Sequence, residues 1–167
     1  MKTLIVYRTT HGCTERIARE IGTRIGGKVD YADLKQKKLP AVKEYDRIIV
    51  GGSIHAGQIQ HKVKEFCAEN RELLLGKELG LFICCMYEGD VARKQLQDAF
   101  PADLLAHAKS ILTAGGSVNL EKMNFLERFA VKKMAHLDQS MDHTDMVAVE
   151  RFARKMDRAF IPMMLFV

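Results

Sequence analysis

The chain is expected to fold as an α/β domain: an open, five-stranded parallel sheet in the order 2-1-3-4-5, with helices on both faces. Short, nearly continuous apolar runs alternate along it with amphipathic stretches of helical period, which is the pattern of strands buried on both faces and joined by crossover helices. Right-handed crossovers leave few arrangements of such strands. The first run also passes directly into a turn rich in hydrogen-bond donors and then into a helix, which suits this strand order.

Thr3 to Tyr7 is the first strand, Arg8 to Thr14 the turn, and Ile17, Ala18, Ile21 and Ile25 line one face of the first helix, closed by Gly26-Gly27. Val29 to Leu34 forms the second strand, followed by a surface connection through Lys35 to Lys38 and Pro40. In the segment Tyr45 to Ile54 the apolar centre Ile48-Ile49-Val50 is the third strand, ending on a Gly51-Gly52-Ser53 turn. A helix from about Gln60 turns Val63, Phe66, Cys67 and Leu74 inward, and Leu79 to Cys85 is the fourth strand. The helical stretch from Val91 is interrupted by Pro101 and resumes through Leu104 and Leu105. Ser110 to Ala114 is the fifth strand, stopped by Gly115-Gly116, and the last helix, from about Thr144, buries Val149, Phe152, Ala153, Met156 and Phe160.

The 167 residues, 47% hydrophobic and 28% charged, fit a single folded domain over residues 1–167. No charged and apolar leader precedes the first strand, and no run reaches the roughly 20 apolar residues that cross a bilayer, so a cytoplasmic location is expected, with peripheral contact at the inner face of the membrane left open. Cys13, Cys67, Cys84 and Cys85 have no metal-ligand spacing and read as reduced thiols. A net charge of +5 points to an anionic membrane or an acidic small molecule; the basic residues lack the aromatic interleaving of a nucleic-acid surface.

The turn carries the chemistry. The first N–H groups of a helix have no intrahelical partner and the dipole there favours negative charge; Thr9, Thr10 and Thr14 add hydroxyls, and Gly12 lets a ligand approach the backbone. A phosphate is the expected guest. Neither the lysine-bearing P-loop nor the three-glycine dinucleotide pattern is present, so a single terminal monophosphate suits Thr9-x-x-Gly12-x-Thr14 best. Cys13 falls where thiolate is favoured, although a bound phosphate would oppose it. Brought to the carboxyl edge of the sheet, three turns converge on one crevice: Thr9 to Thr14, Gly51 to Gly57, and Met86 to Asp90.

The first of these resembles the phosphate loop of the flavodoxin-like FMN-binding family, Ser/Thr-x-Thr-Gly-x-Thr, with His11 standing at the middle threonine. The resemblance implies FMN as cofactor, with Thr9, Thr10, His11, Gly12, Cys13 and Thr14 on its phosphate. Around its ring it implies Gly52, Ser53, Ile54, His55 and Gly57 on one side and Met86, Tyr87, Glu88 and Gly89 on the other. Tyr87 is the candidate for stacking on the ring, and Ile54 or His55 covers the opposite face. No side chain need act as a covalent catalyst, and no metal is called for.

Within that family, Gly51-Gly52-Ser53-Ile54-His55-Ala56-Gly57 resembles the Gly-Ala-Ser-Ile-Arg-x-Gly turn of the menaquinone-dependent protoporphyrinogen oxidase branch, with His55 at the arginine. Gly115 to Asn119 with Phe125 to Phe129 resembles the segment before that branch's last helix. In that branch the turn after the fourth strand carries a long, arginine-rich insert; here Glu88 to Lys109 is shorter and reads as helix. The resemblance implies an FMN-dependent oxidoreductase of haem biosynthesis that passes electrons from a porphyrinogen or another small reductant to a quinone. The alternative is an electron carrier between redox proteins. Residues 119–140 form a basic amphipathic segment, with Leu120, Met123, Leu126, Ala130, Met134 and Leu137 near helical spacing among Lys122, Arg128, Lys132 and Lys133, suited to an anionic membrane or to the sheet edge. Ile161 to Val167, apolar apart from Pro162, has three uses open to it: packing on the core, a homodimer contact, or contact with lipid.

Overall fold

The structure, a computed structural model, describes residues 1–135 and 139–157; Leu137, Phe160, Ile161 to Val167 and the side chain of Met134 lie outside the described residues. Five parallel strands make the sheet: β1 (Lys2–Tyr7), β2 (Lys28–Asp33), β3 (Arg47–His55), β5 (Glu78–Cys84) and β6 (Ser110–Thr113). A two-residue arm, β4 (Gln58–Ile59), pairs antiparallel with the end of β3. The order β2-β1-β3-β5-β6 is the expected one once the arm is set aside.

Side-chain alternation sends Leu4, Val6, Ile48, Val50, Leu81 and Ile83 to one face and Ile5, Tyr7, Ile49, Phe82 and Leu112 to the other. The second face is covered by α1 (Cys13–Gly22) and α7 (Met146–Asp157), through Ile17, Ile21, Val149, Phe152 and Met156. The first is covered by α2 (His61–Glu69), α3 (Arg71–Leu75), α4 (Gly89–Ala99) and α5 (Ala102–His107). Pro101 divides the last two as expected, while Leu74 sits on its own short helix, α3. The first helix stops at Gly22 rather than at Gly26-Gly27: after the last α-helical bond, Thr23 N–H to Arg19 O, the Arg24 and Ile25 N–H groups bond the carbonyls three residues back, at Ile21 and Gly22.

The expected Gly51-Gly52-Ser53 turn is instead strand. Pairing with β5 continues through Gly51↔Phe82, Gly52↔Ile83 and Ser53↔Cys84, and a Cβ on Gly51 would sit 2.0 Å from the Phe82 ring, so this glycine makes room for a core phenyl. The reversal comes beyond His55, at Ala56 (φ 50) and Gly57 (φ 77), the pair of positive φ angles that a tight hairpin needs.

Between β6 and α7 the chain leaves the sheet. β7 (Ser117–Val118) and β8 (Met141–Asp142) pair antiparallel, enclosing a 3-10 turn (Leu120–Lys122) and α6 (Phe125–Ala135). The expected apolar stripe of the 119–140 segment does not hold together. Asn124 accepts from the Glu127 N–H (2.8 Å) while Glu127 accepts from the Asn124 N–H (3.2 Å), a capping box that restarts the helical phase. Leu120 is buried and Met123 and Val131 turn partly inward, but Leu126 is 76% exposed, beside Phe125 (81%) and Phe129 (59%). Among the described residues no helix is long and apolar enough to cross a membrane.

Because Phe82 fills the space above Gly51, Gly51→Ala is expected to destabilise the fold by about 1–3 kcal/mol. A lowered urea midpoint at unchanged slope, partly restored by adding Phe82→Leu, checks it.

Candidate functional site

The carboxyl end of β1 is tied to its neighbour by Arg8 N–H donating to Gly51 O (3.3 Å). The loop then closes on itself: Gly12 N–H donates to Thr9 Oγ1 (2.9 Å), and Gly12, at φ 91, occupies the capping position before α1 in the left-handed region. That conformation lays the first-turn N–H groups of α1 open at the sheet edge. Thr14, 1% exposed, keeps its Oγ1 buried without a hydrogen-bond partner, beside the weakly polar Cys84 thiol. An orphaned buried hydroxyl next to open helix N–H groups is a donor set for an anion, and it fits the expected phosphate.

The second wall is stapled to the first by a residue with no local signal in the sequence. Gln60 accepts from Ser53 N–H (2.8 Å) and its amide donates to Arg8 O (3.2 Å) and Ser53 Oγ (3.2 Å). Ser53 Oγ in turn lies 3.0 Å from His55 Nε2. Partial desolvation, and next the neighbouring His11, lower the proton affinity of His55, with Glu127 opposing.

These walls bound a cavity of about 180 Å³. Thr9, His11, Cys13 and Thr14 meet Ser53, Ile54 and His55 across it, with Cys84, Cys85, Met86 and Gly116 to Val118 beyond. Met123 and Val131, from the segment after β7, also line it, and Glu127 of α6 comes within 3.7 Å of His11 Nε2. Two further spaces adjoin. One, of about 490 Å³, runs along the outside of the loop between His11, Gly12, Cys13 and Arg16 and the strip Ser117 to Asn119, Lys122 and Asp142. The other, a cleft of about 830 Å³, shares Ile54, Cys85 and Met86 with the central cavity and adds Gly57, Tyr87 and Val91.

Eight of the expected residues, Thr9, His11, Cys13, Thr14, Ser53, Ile54, His55 and Met86, thus share the central cavity. Gly12 borders the outer space, while Gly57 and the 59% exposed Tyr87 lie on the rim of the open cleft. Thr10 points to solvent, Gly52 is buried under Ile59 and Gln60, and Glu88 and Gly89 begin α4 away from these cavities. Missed from the sequence were Arg16, one helical turn beyond Cys13 and so legible in principle, and the residues of the 117–142 excursion, which no local pattern connects to the loop.

Arg16 binds Asp142 through two contacts, at 3.0 and 3.1 Å. That pairing, with Thr144, holds the Asp142 carboxyl at about 2. A hydrogen bond from the Cys84 thiol, then bonds from Ser117 and the Arg16 charge, outweigh burial and bring Cys13 down to about 6, while Cys84 is pushed up. Cys13 is therefore thiolate above pH 6. Its alkylation by iodoacetamide should rise to a plateau through about pH 6, with Cys67, pushed by burial up to about 12, contributing nothing. A phosphate bound at the same helix end should move that midpoint upward; mass-resolved alkylation across pH, with and without added ligand, checks both.

A family model described as flavodoxin domain matches residues 4–145. A curated relative, the protoporphyrinogen IX dehydrogenase [quinone] of Escherichia coli (strain K12), is 33% identical over 69 residues, covering 40% of this chain and 38% of the relative; the match thus spans under two-fifths of the relative's length. Among solved structures, a flavodoxin of Streptococcus pneumonia TIGR4 superposes with a TM-score of 0.58 at 19% identity, covering 93% of this chain and 97% of that one. The oxidised flavodoxin 1 of Bacillus cereus does so with a TM-score of 0.57 at 16% identity, covering the same shares.

Proposed function

This chain belongs to the flavodoxin domain family, whose cofactor is FMN, and from that premise we propose that it is an FMN-dependent oxidoreductase similar to the quinone-dependent protoporphyrinogen IX dehydrogenases. The observation that carries the enzymatic reading is the open cleft of about 830 Å³, which meets the central cavity along Ile54, Cys85 and Met86 and leaves room for a substrate beside a bound ring. The partial relative, a protoporphyrinogen IX dehydrogenase, and a net charge of +5, suited to a substrate bearing propionates, support it.

In this reading the protein binds, orients and shields. The open N–H groups of α1, with Thr9 and Thr14, grip the phosphate. The Ser53 to His55 backbone, held by Gln60, lies along the ring edge, and the His55 imidazole offers a hydrogen bond there. Met123 and Val131 keep water from one side. FMN, when bound, supplies the electron transfer, from a porphyrinogen-type reductant to a quinone. A second reading, an electron carrier between redox proteins, is favoured by the exposed rim of Met86 and Tyr87, 41% and 59% accessible, where a partner protein could bring its own redox centre close.

The purified chain is expected to be yellow or to take up added FMN. Thr14→Ala should weaken that binding by about 1–3 kcal/mol through loss of a charge-assisted bond, measured by flavin fluorescence titration. Reduction of a menaquinone analogue in the presence of protoporphyrinogen, above the spontaneous rate, would favour the enzyme; reduction only by way of a protein partner would favour the carrier. Contact with an anionic bilayer is proposed at Phe125, Leu126 and Phe129, exposed beside Lys132 and Lys133. Flotation with vesicles containing phosphatidylglycerol, lost when all three apolar residues become serine and absent with phosphatidylcholine alone, is the expected result.

A further inference from the structure

We propose that Lys122, carried on the excursion between β7 and β8 and not on the phosphate loop itself, supplies the positive charge that holds the cofactor's phosphate. The inference rests on the reading above that FMN places its phosphate at residues 9–14. Its geometric basis is a close approach between segments far apart in sequence: Lys122 Nζ lies 3.5 Å from where a Cβ on Gly12 would stand, directly over the residue that opens the start of α1.

The other basic side chains around the loop have partners elsewhere. Arg8 is paired with Asp33 at 3.7 Å and also donates to Thr9 O. Arg16 is held by Asp142 and Thr144, and His11 lies beside Glu127. Lys122 has no ion pair among the described residues, not even with Glu121 of the same turn, which borders the same outer space.

The turn that carries Lys122 is anchored at several points. Lys122 N–H donates to Asn119 O (3.2 Å), Asn119 Oδ1 accepts from Glu121 N–H (3.0 Å), Leu120 N–H donates to Ser140 Oγ (3.0 Å), and Arg128 Nε donates to Leu120 O (2.9 Å). Leu120 itself is 7% exposed. A dianionic phosphate at a helix start meets only about half a unit of compensating charge from the helix, and Thr9 and Thr14 contribute neutral hydroxyls. An ammonium reaching over Gly12 adds the missing charge, which makes the excursion part of the cofactor site.

Comparing FMN with riboflavin, which lacks the phosphate, separates this role from a general one. Fluorescence titrations of native protein, Lys122→Gln and Lys122→Arg are expected to give FMN binding about five- to twentyfold weaker in the glutamine variant, largely kept in the arginine variant, with riboflavin binding unchanged throughout. The difference between native protein and Lys122→Gln should shrink at high salt. Equal FMN affinity in native protein and Lys122→Gln, or equal losses for FMN and riboflavin, would overturn the inference while leaving the proposed function standing. Native protein that takes up no FMN at all would overturn both.

Discussion

The unsatisfied N–H groups at the start of α1 are the constraint to which the rest of the ligand end answers. They can stay open only because β1 delivers the chain to the sheet edge between two parallel neighbours, β2 and β3, and because Gly12 takes a left-handed conformation that few other residues adopt. Thr9 closes the loop from within, Arg8 ties it to β3, and Gln60 braces β3 against it from the far side. The loop is thereby shaped before any ligand arrives, so that ordering it is not charged against binding.

A dense sheet core makes that bracing rigid. Phe82 packs where Gly51 has no side chain, which lets β3 and β5 stay paired up to Ser53 and Cys84. Ser53, Ile54 and His55 are consequently presented from strand and hairpin, and not from a free loop. Their largely uncharged and apolar character, with the proton affinity of His55 lowered, suits a flat, weakly polar ring better than a charged substrate.

The excursion from Ser117 to Asp142 gives this domain its particular character. It is fastened by the β7–β8 ladder and by Arg16 on Asp142, turns Met123 and Val131 toward the central cavity, and sends Phe125, Leu126 and Phe129 outward. One segment thus faces the site on one side and solvent on the other, and any partner it meets there is mechanically close to the cavity.

The strand order, the place of the loop between β1 and α1 and the inward faces of α1 and α7 could all be read from the chain, because each rests on local periodicity or on an uninterrupted run of neighbours: Ile17 to Ile21, Val149 to Met156, Thr9 to Thr14. So could the resemblance to an FMN family, carried by residues contiguous in the chain. The hairpin beyond Ser53, the stapling role of Gln60, the outward turn of Leu126 and the approach of Lys122 to Gly12 could not. They depend on contacts between residues separated by many positions, on a capping box that resets helical phase, and on the volume of one phenyl ring; local pattern carries no record of which distant side chain will occupy a given space.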